Sequence, residues 1–314
     1  MNRREFIPLA GAALLTGVAG FVGGRKDTPE RTSHSTVAIA RATSYLDDLA
    51  ASIVEGIQAC GLQVADKKIL LKPHLASFTS DQFTNTHPAV VAAAYAAFQE
   101  LGASEVRIGD APAAHRDTWA LAEAAGYRDH IPNFDEVFVD LNGDDVAPVE
   151  GFGNGRTLYL PVTALRADIV VSLAKMKTDT GQSAALSMTN LFGLFPGAVY
   201  GWSGDGSIGK TEHGMGTPRA AADLIRLFRR SFAIVDGILG MEGPGPVNGS
   251  PRSAGVLVMG RDLVAVDATS CRIMGLDPGD VEYLKLAADR EGVAARDRIK
   301  IVGSSLTPTP FRPA

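Results

Sequence analysis

Residues 170–197 have the sequence VVSLAKMKTDTGQSAALSMTNLFGLFPG and contain the side chains best suited to chemistry. An apolar run breaks directly into Lys175 and Lys177, with Asp179 close behind. Because the lysines are two positions apart, a strand would direct both toward the same side of a sheet. A buried lysine pair is costly without a counter-charge, which Asp179, Asp110 or a carboxylate or phosphate of a ligand would supply. The stretch therefore predicts a site for a small anionic molecule.

Lysine, histidine and aspartate side chains also follow other apolar segments of the chain. Lys72 and His74 follow ILL, Asp110 follows VRIG, and Asp236 follows AIV. In an open parallel sheet, ligands bind beyond the C-terminal ends of the strands. A single charged side chain at a strand end is often simply exposed to solvent. The prediction of a binding site therefore rests on four strands that each end in lysine or aspartate. The predicted ligand-binding residues are Lys72, His74, Lys175, Lys177, Asn190 and Asp236.

Three side chains are candidate catalytic groups, namely Asp110, Asp179 and His213. Either aspartate could act as a general base or a metal ligand, and His213 as an acid or base. His213 lies in a glycine-rich segment, residues 196–216, whose length favours a mobile lid. Together with Asp236, these groups offer the oxygen and imidazole ligands of a metal site, but their spacing does not establish one. The sequence leaves the metal and any cofactor unknown.

Composition excludes several classes of protein. The net charge of −5 and the lack of a Lys/Arg-rich run after the leader argue against nucleic acid as a partner. Cys60 and Cys271 are the only cysteines, too few for an iron–sulfur cluster on four thiolates. The two cysteines could form a disulfide after export. Both have the spacing of helix core faces, however, which favours buried thiols. The dinucleotide fingerprint, the Walker-type loop, GxSxG and HExxH are absent.

Strand-like segments alternate with amphipathic helix-like segments along most of the chain. The strand-like segments KILL, DIVVSLA, FAIVDG and GVLVMG are apolar on both faces, as is typical of a mostly parallel sheet covered by helices. Residues 142–165 interrupt this order with glycine, proline and short β-prone pieces, which indicate a hairpin. We therefore predict a three-layer α/β fold, with a mostly parallel sheet, helices on both faces and a small β-hairpin excursion.

The chain begins with a leader typical of exported bacterial proteins. Arg3 and Arg4 precede an apolar, alanine- and glycine-rich segment that is too short for a confident membrane span. Paired arginines of this kind are typical of signals read by the twin-arginine export machinery, which would place the protein in the periplasm or otherwise outside the cytoplasm. An ordinary secretory signal or a retained anchor is the alternative. Before cleavage, the signal segment would be the part that meets the membrane.

The predicted organisation follows from this leader and from the strand–helix alternation. It comprises a twin-arginine-type signal peptide at 1–24, a linker at 25–35, a single α/β domain at 36–303 and a Pro-rich tail at 304–314.

Four motifs carry a resemblance to a known family. KMKT, NLFG, DGILGMEGPGP and AVDA occur in that order, and together they resemble the domain of unknown function 362 family from about Val37 to Val302. The resemblance implies an α/β domain, often associated with iron–sulfur or other cofactors, with no settled activity. Many relatives carry a ferredoxin-like cysteine segment, which this sequence lacks. The family pattern carries over to Lys72, Lys177, Asn190, Gly193, His213 and Asp236.

Three positions depart from the family pattern. His74 stands where relatives typically have asparagine, Asp179 where they have histidine, and Thr189 where they have lysine. If the family residues bind or catalyse, the resemblance implies that His74 and Asp179 have changed the site or that a function has been lost.

Two functions remain in competition. The first is an exported enzyme acting on a small anionic substrate, with or without a metal or cofactor. The alternative is a non-catalytic protein that binds a metal or cofactor, or helps another exported enzyme to mature. Strongly shifted pKa values around one pocket would favour the enzyme, whereas a wide, shallow site beside an apolar patch would favour the binding protein.

Overall fold

A computed structural model describes residues 34–79, 81–112, 117–152, 155–201, 217–288 and 290–314. The predicted signal peptide, most of the linker, His213 and most of the predicted lid lie outside these ranges.

Twelve strands are described, and ten of them form one mixed sheet at the centre of the fold. The strands are β1 (Ser35–Arg41), β2 (Lys68–Pro73), β3 (Glu105–Asp110), β4 (Phe138–Asp140), β5 (Val146–Phe152), β6 (Arg156–Pro161), β7 (Ile169–Asp179), β8 (Ser183–Ala185), β9 (Ser231–Glu242), β10 (Ser250–Arg252), β11 (Val256–Gly260) and β12 (Ile299–Gly303). Their order in the sheet is β12-β1-β11-β9-β7-β2-β3-β4, with β10 added to β9 and β8 added to β7. The strands β9, β7, β2, β3 and β4 are parallel, so their C-terminal ends meet at one edge.

Helices cover both faces of this sheet. They are α1 (Leu49–Ala59), α2 (Pro88–Glu100), α3 (Thr118–Ala124), α4 (Tyr127–His130), α5 (Phe134–Val137), α6 (Val162–Arg166), α7 (Ser187–Asn190), α8 (Gly197–Tyr200), α9 (Thr217–Leu227), α10 (Leu263–Ile273) and α11 (Glu282–Ala287). Helices α1 and α2 pack on one face, and α7 and α10 pack on the other. The predicted three-layer α/β class is therefore confirmed.

Three of the described strands make the sheet mixed, because β8, β10 and β11 each run antiparallel to a neighbour. β11 runs antiparallel to both β9 and β1, while β1 pairs in parallel with β12. β5 and β6 form the hairpin excursion, as a separate two-stranded sheet. Both cysteines are buried free thiols.

The glycines near the C-terminal end of β9 allow close packing against β7. A Cβ atom on Gly237 would lie 2.8 Å from Met176 Cε, and one on Gly240 would lie 2.5 Å from the Met176 carbonyl oxygen. A Cβ atom on Gly245 would overlap the Thr178 carbonyl. The close backbone approach that these glycines permit is therefore to the neighbouring strand.

The chain after β7 differs from the helix start that its small residues predict. Asp179 Oδ1 accepts hydrogen bonds from the N–H groups of Gly181 and Gln182, both at 2.8 Å, and the chain turns back as β8. Helix α7 begins only at Ser187. An Asx-type turn competes with helix formation by offering the backbone a local side-chain partner, which explains the difference.

The Pro-rich segment 304–314 lies against the domain. Phe311 is buried, its N–H donates to the Met274 carbonyl, and the Thr309 N–H donates to the Ile273 carbonyl. Within the described residues, none of the helices combines the length and apolar composition needed to span a bilayer.

Candidate functional site

A cavity of about 240 Å³ lies at the C-terminal ends of β2, β3 and β7. We call it the strand-end cavity. Seven of the predicted site residues line it: Lys72, His74, Asp110, Lys175, Lys177, Asp179 and Asn190. The clustering of polar strand ends thus corresponds to a real concave site. Asp236 lies behind its wall in contact with Lys175, and His213 lies outside the described residues.

Lys175 and Asp236 form a buried ion pair across neighbouring strands. They are register partners in the parallel pairing of β7 with β9, and Lys175 Nζ donates to Asp236 Oδ2 at 2.6 Å. Nζ also donates to the backbone carbonyls of Gln82 and Leu239. Burial lowers the pKa of Lys175, and Asp236 opposes this effect by favouring the ammonium form.

Lys72 and Asp110 form a second buried ion pair. Lys72 Nζ lies 2.7 Å from Asp110 Oδ1 and donates to Asn190 Oδ1 at 2.9 Å. Both carboxylate oxygens of Asp110 also accept backbone N–H groups, from Ala111 and Leu75. Asp110 is thus the counter-ion of Lys72 and is held in place by two backbone N–H groups. Its role as a general base remains a prediction.

Gly193 lies directly against this second pair. A Cβ atom at Gly193 would overlap Asp110 Oδ1 and the end of the Lys72 side chain. The NLFG motif therefore needs glycine at this position so that the backbone can approach the buried ion pair.

Lys177 differs from the other two lysines because it forms no ion pair with any carboxylate of the described residues. Its Nζ lies 2.7 Å from His74 Nε2, and it donates to the carbonyl oxygens of Pro246 at 2.9 Å and Thr84 at 3.2 Å. Burial, followed by the positive charge of Lys175, lowers the pKa of Lys177 to about 7. At neutral pH its ammonium and amine forms are therefore both populated.

His74 is the nearest side-chain neighbour of this unmatched lysine. Burial, then Lys177 and Lys72, hold the pKa of His74 well below its ordinary value. Its imidazole is consequently neutral near pH 7 and can share a proton with Lys177 through Nε2.

The three lysines reach the cavity from both sides of the sheet. Val171 and Leu173, which share the face of Lys175 and Lys177, belong to the core under α1 and α2. Leu70, which shares the face of Lys72, belongs to the core under α10. The expected common direction of Lys175 and Lys177 follows from the two-residue period of β7.

The backbone at the start of α7 is hydrogen-bonded to Asp267 of α10. The backbone N–H groups of Ser187 and Met188 at the start of α7 both donate to Asp267, so they are not free to bind an anion in the cavity. Burial raises the pKa of Asp267 to about 7. Asp267 therefore accepts the hydrogen bonds of these N–H groups from within the chain.

The opposite rim of the cavity carries Asp179 and Gln182. Asp179 is partly buried and holds the β7–β8 turn through Oδ1. Gln182 Oε1 is buried and has no hydrogen-bond partner within the described part of the chain. In the same part of the chain, no group of three or more His, Cys, Asp or Glu side chains is arranged to hold a metal ion.

Comparison with known proteins identifies the family. Residues 69–272 match the family described as Domain of unknown function (DUF362). The chain belongs to the DUF362 family. It is also 30% identical over 227 residues to Thylakoid-associated protein sll1697 from Synechocystis sp. (strain ATCC 27184 / PCC 6803 / Kazusa), an alignment that covers 72% of this chain and 68% of that protein.

The DUF362 match includes every predicted site residue that lines the cavity. The three positions that depart from the family pattern, His74, Asp179 and Thr189, line it as well. One of them, His74, is in contact with Lys177.

Tyr45 is a site residue that sequence reasoning missed, and it precedes the matched DUF362 segment. Its hydroxyl contacts Asp236 Oδ1 at 3.1 Å and Lys175 Nζ at 3.0 Å, and its ring stacks on His87 with centroids 3.5 Å apart. Burial, followed by the charge of Asp236, raises the pKa of Tyr45. The available signal was its position, because Tyr45 follows β1, whose C-terminal end lies at the same edge as those of β7 and β9.

Proposed function

We propose that the strand-end cavity is the active site of an enzyme that acts on a small anionic substrate. The observation that carries this proposal is Lys177, which is only 1% exposed and forms no ion pair with a carboxylate in the described residues, whereas Lys72 and Lys175 have one carboxylate each. A bound anion would supply the missing counter-charge.

Anion binding should be coupled to protonation of Lys177. A negative charge near Nζ favours the ammonium form, so it raises the pKa of this lysine from about 7 toward its ordinary value. Binding therefore takes up a proton above pH 7. The affinity should fall about tenfold for each pH unit above 7, as the ammonium form becomes scarce.

The electrostatics favour an enzyme over a passive binding protein. Lys72, His74, Lys175 and Lys177 all have lowered pKa values, and all four line one cavity. Shifted pKa values that converge on one pocket are typical of active sites. Within the described residues, the absence of a cluster of metal-ligating side chains gives no support to the alternative of a metal-binding maturation protein.

Calorimetric titration of the purified full-length chain with oxalate and with inorganic phosphate tests the proposal. We expect one-to-one binding at pH 6.5 that weakens at pH 8.5 and is lost in Lys177→Met. The matched control is Lys300→Met, because Lys300 is exposed on β12 and should bind like the parent chain. Failure of both anions to bind, or equal binding by Lys177→Met, would contradict the proposal.

We also propose that the enzyme works outside a bacterial cytoplasm, delivered there by the twin-arginine export machinery. The support is the leader, in which Arg3 and Arg4 precede a short apolar segment. In a bacterial host, Arg3→Lys with Arg4→Lys should retain the chain in the cytoplasm, while the paired control Arg25→Lys with Arg31→Lys should not. Unchanged export of the first variant would refute this route.

A further inference from the structure

We propose that Lys177 is a nucleophile that forms an imine with the carbonyl carbon of a short 2-oxo acid bound in the strand-end cavity. This inference rests on the proposed function and names a substrate class for the same site.

The position of Lys177 meets the geometric needs of an amine nucleophile. Its side chain lines the cavity, and the backbone carbonyls of Thr84 and Pro246 fix its Nζ, with His74 Nε2 at 2.7 Å. Desolvation and a neighbouring cation are the conditions that activate lysine for Schiff-base chemistry. Lys177 has both, because it is buried and Lys175 lies nearby with its own carboxylate partner.

The three lysines of the site are not equivalent in this respect. Lys72 and Lys175 each contact a carboxylate at 2.7 Å or less, which favours the ammonium form, without a free electron pair, over the amine. Nζ of Lys177 has instead two backbone carbonyls and a neutral imidazole. As an amine, it has two hydrogens for these three acceptors, so one contact is lost and the electron pair in that direction is available for attack. The pKa of about 7 leaves roughly half of the molecules in this form at neutral pH.

The step balances without an oxidant or reductant. The nitrogen electron pair forms a bond to the carbonyl carbon, and the carbonyl π electrons move to oxygen. The nitrogen then loses a proton to His74 Nε2, and the oxygen takes a proton from solvent to complete a carbinolamine; this proton accounts for the positive charge of the final iminium ion. His74 returns its proton to the hydroxyl group, the C–O bond breaks, and water leaves as the iminium ion forms.

A 2-oxo acid suits this cavity because it brings both the electrophile and a counter-charge. The iminium ion is a cation at a position without an ion-paired carboxylate in the described residues, and the carboxylate of the substrate would neutralise it. A cavity of about 240 Å³ holds a molecule of a few carbon atoms. Its walls include the apolar side chains of Leu75, Leu186 and Phe192, which suit a short hydrocarbon end.

Reductive trapping tests the inference. The full-length chain is incubated with pyruvate and cyanoborohydride, and the product is examined by intact mass and peptide mapping. We expect one reduced adduct at Lys177, absent from Lys177→Met and present in Lys300→Met. With pyruvate well below saturation, the trapping rate should rise about tenfold from pH 6 to pH 8 as the amine form of the free protein increases, the opposite of the pH dependence of oxalate binding.

The outcomes separate this inference from the proposed function. Oxalate binding that depends on Lys177, without any pyruvate adduct at Lys177, would overturn the imine and leave the anion site standing. Adducts spread over exposed lysines would also overturn it. Equal trapping of acetone at Lys177 would overturn the 2-oxo acid class.

His74→Gln tests the proton transfer separately. Glutamine can donate and accept hydrogen bonds but cannot take up a proton, so the trapping rate at saturating pyruvate should fall about tenfold or more. An unchanged trapping rate would remove His74 from the step.

Discussion

Replacing Lys177 with methionine should change how the stability of the protein depends on pH. Burial and Lys175 lower the pKa of Lys177 from 10.5 to about 7 in the folded chain. Between these two values the unfolded chain carries a proton on this side chain that the folded chain lacks. Folding stability contributed by Lys177 therefore rises with pH across this window, and is flat below pH 7, where both states are protonated.

The magnitude follows from the size of the shift. A fall from 10.5 to about 7 corresponds to a penalty of about 5 kcal/mol, carried in full below pH 7. Within the window the slope approaches about 1.4 kcal/mol per pH unit. Between pH 7.5 and 9.5, the free energy of unfolding of the parent chain should therefore increase by about 2–3 kcal/mol relative to Lys177→Met.

Urea unfolding at several pH values measures this difference. Methionine cannot make the hydrogen bonds of Lys177 to the carbonyls of Thr84 and Pro246. This loss lowers the stability of the variant by a similar amount at each pH, so it does not affect the pH dependence. The exposed Lys300→Met should track the parent chain throughout. A difference between the parent and Lys177→Met that changes by less than about 0.5 kcal/mol across this range would refute the lowered pKa.

Three other substitutions test the supporting contacts, each by urea unfolding. Gly193→Ala should lower the free energy of unfolding by about 3 kcal/mol or more, because the new Cβ forces apart the buried ion pair beside it. The control is Gly181→Ala, whose Cβ would lie 3.5 Å from its nearest neighbour and which should change that free energy by no more than about 0.5 kcal/mol. Tyr45→Phe should cost about 1–2 kcal/mol by removing the hydroxyl that bridges the Lys175–Asp236 pair, and a cost near zero would contradict that bridge. Asp236→Asn should cost about 3–5 kcal/mol, and adding Lys175→Met should recover part of the loss. No recovery would contradict the pairing.

Much of the site could be predicted from the sequence because strand periodicity is local. The two-residue spacing of Lys175 and Lys177 fixes their common side whatever the rest of the fold does. The apolar runs before Lys72, Asp110 and Asp236 identify strand ends that a parallel sheet must bring together.

The pairing of charges could not be predicted in the same way, because it depends on contacts between distant segments. Lys177 and Lys175 look alike in the sequence, yet Asp236 of β9 is the register partner of Lys175, while Lys177 lies beyond the register shift. Asp267 is 79 positions from Met188 in the sequence, yet it accepts a hydrogen bond from the backbone N–H of Met188. Such partners are set by tertiary packing rather than by local pattern.

Titration of the lysine side chains by ¹H–¹⁵N NMR tests the central claim most directly. In the parent chain, one Nζ resonance that is missing from Lys177→Met should titrate near pH 7, and oxalate should raise that midpoint by at least one pH unit. A midpoint near pH 10, unchanged by oxalate, would mean that Lys177 is an ordinary lysine and would contradict the anion site.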